Sequence, residues 1–248
     1  MPEIRREDVS LPAGDAQMRA FFAHPGATRA PAIVLIPDVH GLSPLYREIA
    51  ERFAGEGVAA LAVDLYTREG APRLASVDEA MRWIAALDDR RVLRDVQAAA
   101  DWLDGREDVG RVGVTGFCMG GQYALLGACS LPGLSACVSF YGMVRYAERN
   151  AWKPQSPLDV AEVLRCPYLG IFGEDDGLIP REDVAELERR LAAAGKTFEI
   201  RSYPGCGHAF LNHNRADAYR PEAAADAFHR AVRFFQRHLA PADGAGGS

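Results

Sequence analysis

The chain has 248 residues, of which 48% are hydrophobic and 25% are charged, and its formal net charge is −6. This length and composition predict a single globular domain with its own hydrophobic core. The acidic balance, without long runs of one sign, argues against a nucleic-acid partner and leaves a small molecule as the expected substrate.

Signals for targeting, disulfides and metals are lacking. Residues 1–10 are charged without an apolar run, and no stretch approaches the length that spans a bilayer, so we expect no signal peptide, no membrane association and a cytoplasmic protein. The five cysteines lack the spacing of a disulfide framework, which favours free thiols. His208 and His213 have no companions at metal-ligand spacing, so we expect no metal.

The N-terminal part of the chain alternates between strand and helix signals. Ser43 is a good N-cap residue, Pro44 suits the first helical position, and Gly55 and Gly57 stop the helix. An apolar strand precedes this helix and another follows it, so the unit is βαβ. The first two strands are predicted as an antiparallel edge and the next two as buried parallel strands, over residues 4–11, 18–24, 32–36 and 58–63.

The rest of the chain continues the alternation. Further strands are predicted over residues 109–115, 136–141, 168–172 and 198–203. Further helices are predicted over residues 77–87, 92–103, 120–128 and 181–194 and from Pro221 onward. The pattern predicts an α/β fold, a mainly parallel sheet with helices on both faces. The irregular segment 144–158 is long enough to be a pocket wall or a lid.

A glycine-rich turn stands between the strand 109–115 and the helix that follows it. Its sequence is Gly116-Phe-Cys118-Met-Gly120, followed by Gly121. This is the context of a nucleophile elbow, which lifts one reactive side chain above a parallel sheet. The flanking glycines are needed because a Cβ there would crowd the neighbouring strand and helix. The turn therefore predicts Cys118 as the reactive residue.

Polar residues follow the predicted strands, at the edge where open parallel sheets place their sites. Nucleophile, acid and histidine occur in the order of an α/β-hydrolase triad. Asp175 and Glu174 compete with Asp176 for the role of the acid; we choose Asp176 because a Gly-x-x-Asp turn is usual for the acid loop of this fold. The residues at these strand ends are Asp38, Asp64, Cys118, Asp176 and His208.

The chemical groups suggest a role for each member of the set. Cys118 at a helix N-terminus beside an imidazole favours the thiolate, which would attack an acyl carbonyl. His208 would take the thiol proton and later activate water, while Asp176 would fix its tautomer. The oxyanion hole is predicted to be the backbone N–H groups of Met119 and Val39.

Several further residues have two open interpretations. His40 is expected to line the pocket or lie at the surface rather than act as a second base. Cys206 is expected to be a free thiol, with a redox disulfide to Cys118 as the alternative. Four aromatic residues are predicted either to line the substrate pocket or to belong to the core: Tyr66, Phe117, Tyr141 and Trp152.

With these residues the sequence resembles the dienelactone hydrolase family over residues 4–238. The motifs that carry the resemblance are Gly116 to Gly121, the acidic residue before Gly41, Asp64-Leu65-Tyr66, Tyr141-Gly142, Gly173 to Asp176, and His208-Ala209-Phe210. The resemblance implies the α/β-hydrolase fold in one domain, residues 1–240. Residues 241–248 are predicted to be a flexible tail.

The resemblance also implies an activity. Members of the family hydrolyse the enol-lactone 4-carboxymethylenebut-2-en-4-olide to maleylacetate during the degradation of aromatic compounds. It implies a hydrolase that needs no metal or organic cofactor and is a monomer, or at most a weak homodimer.

This chain departs from the family pattern at two positions. A glutamate of the family, which is thought to hold the thiol proton, is replaced by the shorter Asp38, to which the resemblance assigns a thiol-activating role. An arginine that binds the substrate carboxylate, four residues after the histidine, is replaced by Asn212. Without an arginine in the pocket the enzyme would prefer an uncharged ester or lactone. The candidate substitutes are Arg215, Arg68, Arg73 and Arg145.

The sequence as a whole predicts a hydrolase that cleaves a small lactone or ester through a cysteine acyl-enzyme. Two alternatives are kept. One is a broad carboxylesterase or thioesterase; the other is a non-hydrolytic thiol sensor or binding protein that uses Cys118 with Cys206.

Overall fold

A computed structural model of the chain describes residues 3–26 and 29–241. Its described strands form one eight-stranded sheet in the order β1-β2-β4-β3-β5-β6-β7-β8. The pairs β1–β2 and β2–β4 are antiparallel and all other neighbours are parallel. The strands are β1 (Arg5–Ala13), β2 (Ala16–His24), β3 (Ala30–Ile36), β4 (Ala59–Val63), β5 (Val109–Phe117), β6 (Cys137–Phe140), β7 (Tyr168–Gly173) and β8 (Phe198–Tyr203).

Helices connect the parallel strands, and each begins near the predicted signal. The first opens with Pro44 after the N-cap residue Ser43, and the last opens with Pro221. The helices are α1 (Pro44–Gly55), α2 (Val77–Ala86), α3 (Asp89–Asp104), α4 (Met119–Ser130), α5 (Pro157–Val160), α6 (Arg181–Ala193) and α7 (Pro221–His238), with one 3₁₀ turn at Ala161–Val163.

The direction of the crossovers places helices on both faces of the sheet. The helix α1 leads from β3 to β4 in one direction, whereas α4 and α6 lead from β5 to β6 and from β7 to β8 in the other. Because such crossovers are right-handed, opposite directions put their helices on opposite faces. The helix α7 joins the face of α1, where the rings of Phe53 and Phe228 lie 4.7 Å apart. The predicted mainly parallel sheet with an antiparallel edge is confirmed.

Residues 144–158 were expected to form a pocket wall or lid, and the structure corrects this. The segment is fastened to the start of α3 and to α4 by a buried lysine. Nζ of Lys153 donates to Oδ1 of Asp89 at 2.5 Å and to the hydroxyl of Tyr123 at 2.6 Å. The hydroxyl of Tyr146 donates to the other oxygen of Asp89 at 3.3 Å.

The charges of this pair are held out of water. Lys153 is 2% exposed and Asp89 is 5% exposed. Burial lowers the pKa of Lys153 and raises the pKa of Asp89, and the attraction between the two groups opposes both shifts. Removal of one partner therefore leaves the other charge buried and uncompensated. No helix in the described part of the chain is long and apolar enough to cross a membrane.

We predict that Lys153→Ala lowers the free energy of unfolding by about 3–5 kcal/mol, because Asp89 loses its buried counter-ion. The matched control is Arg145→Ala, which breaks the more exposed pair of Arg145 with Asp183 (2.7 Å) and should cost about 0–1 kcal/mol. Urea unfolding of both variants measures the difference. Equal costs would show that the buried pair does not anchor the segment.

Candidate active site

Cys118 occupies a strained turn between β5 and α4. Its backbone has φ 54° and ψ −116°, a conformation that residues with a side chain rarely adopt. A Cβ on Gly116 would lie 2.8 Å from N of Gly121, and one on Gly120 would lie 2.5 Å from O of Pro37. The elbow therefore closes only because both flanks are glycine. Since Cys118 is the N-cap residue of α4, its sulfur lies at the positive end of the helix.

His208 lies beside this thiol and is oriented by Asp176. Nδ1 of His208 is 2.8 Å from Oδ2 of Asp176, and Oδ1 of the same carboxylate accepts from N of Leu178 at 2.9 Å. Asp175, the alternative acid, is instead at the surface beside Arg181. Both oxygens of Asp176 are thus engaged, which fixes the orientation of the imidazole.

The electrostatics of His208 favour its charged form. Burial lowers the pKa of the imidazole, but the neighbouring Cys118 sulfur and the Asp176 carboxylate outweigh this effect and raise it to about 10. Nε2 of His208 is buried and has no hydrogen-bond partner among the described residues. With Nδ1 committed to Asp176, Nε2 is the nitrogen left for the sulfur and for substrate.

The two predicted oxyanion-hole amides flank the same turn. Met119 is the first residue of α4, and Val39 lies on the loop after β3. In the described part of the chain neither amide donates a hydrogen bond to another residue. Two amides without partners beside Cys118 are available to a substrate oxygen.

Asp38, to which the resemblance assigns a thiol-activating role, is bound to its own loop. Its Oδ1 accepts from N of His40 at 2.9 Å, and its carbonyl accepts from N of Gly41 at 3.0 Å. Within residues 3–26 and 29–241 no hydrogen bond joins its carboxylate to the sulfur of Cys118. Asp38 nevertheless lines the cavity that contains Cys118.

Cys118 opens into a cavity of about 530 Å³. Residues 144–158 do not contribute to its lining; one wall is instead the helix α2, of whose ten residues only Ile84 is buried. Sequence analysis missed this wall, because helical periodicity does not distinguish an apolar face that covers a core from one that covers a cavity. The available signal was a second helix between β4 and β5. The apolar lining includes Leu74, Val77, Ala80, Met81 and Ile84.

The opposite side of the cavity comes from the loop after His208 and is basic. Asn212 and Arg215 line it as predicted positions, and His40 lines it from the loop after β3. Nη2 of Arg215 donates to Oδ2 of Asp217 at 2.8 Å, so its charge is partly neutralised. Of the other candidates, Arg73 is not part of the lining, and Arg68 and Arg145 form ion pairs with Asp95 and Asp183 elsewhere.

Arg220 is a cavity residue that sequence analysis missed. Its Nε and Nη1 donate only to backbone carbonyls, those of Gly205, Asp217 and Tyr219. Among the described residues it forms no ion pair, and its Nη2 has no acceptor. Its positive charge is therefore uncompensated at the rim. A basic residue just before the last helix was the available signal in the sequence.

The structure corrects the pocket positions of the four aromatic residues. Phe117 is stacked on Phe140 in the core, with ring centroids 4.5 Å apart. Tyr66 is fully buried and does not line the cavity. Tyr141 is also buried, and its ring supports the imidazole of His208 edge-on at 5.3 Å. Trp152 is 51% exposed and lines a separate cleft with Trp83. Aromatic rings at strand ends here fill the space beneath the site.

The remaining cysteines and the metal prediction have simple outcomes. All five cysteines are free thiols, and Cys206 is 2% exposed and does not line the cavity of Cys118. Within the described residues there is no group of three His, Cys, Asp or Glu side chains that could hold a metal ion.

The sheet order, the strained elbow and the strand-end residues define an α/β hydrolase. The family model described as the dienelactone hydrolase family matches residues 18–239. The chain belongs to the dienelactone hydrolase family.

Individual relatives match over nearly the whole chain. A Bradyrhizobium protein named "Probable 2-oxo-3-(5-oxofuran-2-ylidene)propanoate lactonase" is 38% identical over 95% of this chain and 96% of its own length. An Escherichia coli K12 protein named "Putative carboxymethylenebutenolidase" is 33% identical over 93% of this chain and 86% of its own. A crystal structure from Klebsiella pneumoniae, named "Putative Dienelactone Hydrolase", superposes with a TM-score of 0.88 at 31% identity and covers 95% of this chain and 99% of its own.

We predict that Asp176→Asn lowers the pKa of His208 from about 10, because the imidazolium loses the negative charge on its Nδ1 side. The matched control is Asp175→Asn, whose carboxylate lies beside Arg181 at the surface and should leave that pKa unchanged. The pH titration of the His208 ring signals by NMR measures both. A shift caused by Asp175→Asn instead would assign the acid to the neighbouring residue.

Proposed function

We propose that this protein is a hydrolase that opens a small lactone or ester through an acyl-enzyme on Cys118. The observation that carries the proposal is the position of Cys118, at the N-terminus of α4 and beside a histidine bonded to Asp176 at 2.8 Å. A thiol with a cationic neighbour and a helix N-terminus is activated as a nucleophile. The free amides of Val39 and Met119 supply the charge stabilisation that acyl transfer needs.

In the first half of the proposed reaction the thiolate of Cys118 adds to the acyl carbonyl. The carbonyl electron pair moves to oxygen, where the amides of Val39 and Met119 stabilise it. When the carbonyl reforms, the bond to the leaving oxygen breaks and Nε2 of His208 donates its proton to that oxygen. In a lactone the leaving oxygen remains attached to the acyl chain, so the whole substrate stays on the enzyme as a thioester.

In the second half water replaces the thiolate. Neutral His208 takes a proton from water while the hydroxide adds to the thioester carbonyl. The C–S bond then breaks, and the sulfur leaves as thiolate beside the restored imidazolium. Water is the only co-reactant, and the product is a carboxylic acid that also carries the former ring oxygen as a hydroxyl or its tautomer.

The cavity suggests a substrate with an apolar body and an acidic end. The wall from α2 is apolar, and Arg215 and Arg220 lie on the other side of the cavity. Relatives named as a lactonase of a propanoate derivative and as carboxymethylenebutenolidases fit that shape and charge. We therefore propose a carboxylate-bearing lactone as the substrate class.

A broad carboxylesterase or thioesterase is the second candidate. The observation that favours it is the apolar wall of Leu74, Val77 and Met81, which makes no demand on substrate charge. A panel of esters and lactones, each with and without a carboxylate, separates the two candidates. Preference for the neutral compounds would retain the mechanism and exclude the carboxylate-bearing class.

We predict that Cys118→Ala lowers kcat for an activated ester such as p-nitrophenyl acetate by about 10⁴-fold or more, because no other group in the cavity can form the acyl-enzyme. The control Cys206→Ala should retain activity, since Cys206 does not line the cavity. Steady-state rates of both purified variants measure this. Wild-type activity in Cys118→Ala would contradict the proposal, and a peroxide-induced disulfide between Cys118 and Cys206 would favour the thiol sensor.

We predict that Arg220→Gln raises KM for a carboxylate-bearing lactone by about tenfold, the value of one modest charge-assisted contact, with little change in kcat. The matched control Arg215→Gln should have a smaller effect, because Arg215 already pairs with Asp217. A neutral lactone of the same size should not distinguish either variant from wild type. An equal rise in KM for the neutral lactone would show that Arg220 acts by shape rather than charge.

A further inference from the structure

The loop between β3 and α1, residues 37–42, carries one of the two proposed oxyanion amides and is shaped by Asp38. Oδ1 of Asp38 accepts from N of His40, two residues on, at 2.9 Å. Its backbone carbonyl accepts from N of Gly41 at 3.0 Å, where Gly41 has φ 76°. This is an Asx turn closed by a glycine, and Val39 is the residue that it encloses. The direction of the Val39 amide thus depends on the side chain of Asp38.

The same loop lies directly against the elbow. A Cβ on Gly120 would lie 2.5 Å from O of Pro37, so the backbone at the start of the loop touches the first turn of α4. This contact sets the distance between the loop and the amide of Met119. It fixes only one end of the loop, however, because residues 38–41 lie beyond it.

Tyr66 supports the other end. A Cβ on Gly41 would lie 2.8 Å from Cδ2 of Tyr66, so the loop is packed directly on the tyrosine ring. The hydroxyl of the same tyrosine donates to Sδ of Met119 at 3.3 Å. Burial raises the pKa of Tyr66, so the hydroxyl keeps its proton and remains a donor. One buried side chain therefore touches both segments that supply the oxyanion amides.

We propose that Asp38 and Tyr66 are positioning residues of the oxyanion hole: Asp38 orients the Val39 amide through its turn, and Tyr66 holds the loop and Met119 at a fixed separation. This inference rests on the proposed acyl-transfer function. It differs from the thiol-activating role that the family resemblance assigns to Asp38. An aspartate suits the turn because its carboxylate reaches the amide two residues on, whereas the resting thiol has His208 as its charged partner.

Two readouts separate positioning from thiol activation. Ester hydrolysis builds an oxyanion and needs both amides, whereas alkylation of Cys118 by iodoacetamide displaces iodide at a saturated carbon and builds none. A residue that acts only on the oxyanion hole therefore changes kcat for the ester and leaves the rate and pH profile of alkylation unchanged. A residue that activates the thiol changes both.

For Asp38 the test compares two substitutions. Asp38→Ala removes the turn and should lower kcat for p-nitrophenyl acetate by about 10- to 100-fold, since misplacement of an oxyanion donor costs this much. Asp38→Asn keeps the acceptor oxygen of the Asx turn without the charge and should restore kcat close to wild type. Both should keep the wild-type pH profile of alkylation. Loss of kcat in Asp38→Asn together with an altered alkylation profile would overturn the proposal, as would wild-type kcat in Asp38→Ala.

For Tyr66 the test is Tyr66→Phe, which keeps the ring against Gly41 and removes the bond to Met119. We expect kcat to fall by about tenfold at an unchanged alkylation rate. The matched control is Tyr168→Phe, another fully buried tyrosine, whose hydroxyl has no hydrogen-bond partner among the described residues. Thermal unfolding verifies that each variant is folded. Equal kcat in the two variants would overturn the role of Tyr66, whereas failure of the acyl-enzyme proposal would instead appear as activity in Cys118→Ala.

Discussion

The site depends on one steric constraint, the close approach of three backbone segments at Cys118. The strand β5, the first turn of α4 and the loop after β3 meet where Gly116 and Gly120 leave no room for a Cβ. That contact forces Cys118 to a φ of 54° and directs its side chain away from the sheet. The strain is local, and the surrounding parallel strands, buried on both faces, supply the rigidity that maintains it.

The other components of the site follow from the topology of the sheet. Asp176 and His208 lie 58 and 90 residues after Cys118 in the chain, yet each follows a strand of the same parallel set, so all three meet at one sheet edge. Tyr141 then packs edge-on against the imidazole at 5.3 Å, and the Asp176 carboxylate fixes its other side. The geometry of His208 is thus determined by covalently distant groups that the strand order brings together.

Sequence reasoning succeeded where local chemistry determines structure. The elbow glycines, the caps of α1 and α7, and the polar residues at strand ends all have short-range causes, and the predicted fold was confirmed. It was wrong where a side chain had to choose between two environments. Phe117 and Trp152 carry no signal of burial or exposure in their own sequence, and the buried pairing of Lys153 with Asp89 joins residues 64 positions apart. Arg220 became informative only once its neighbours proved to be carbonyls.

The central claim, a covalent acyl-enzyme on Cys118, is tested most directly by mass. The protein is mixed with a lactone, quenched in acid within the first turnovers, digested and mapped. The account predicts an adduct on the peptide that contains Cys118, with the mass of the whole lactone because the leaving oxygen stays tethered. Full turnover with no adduct on that peptide, or an adduct on another residue, would contradict it.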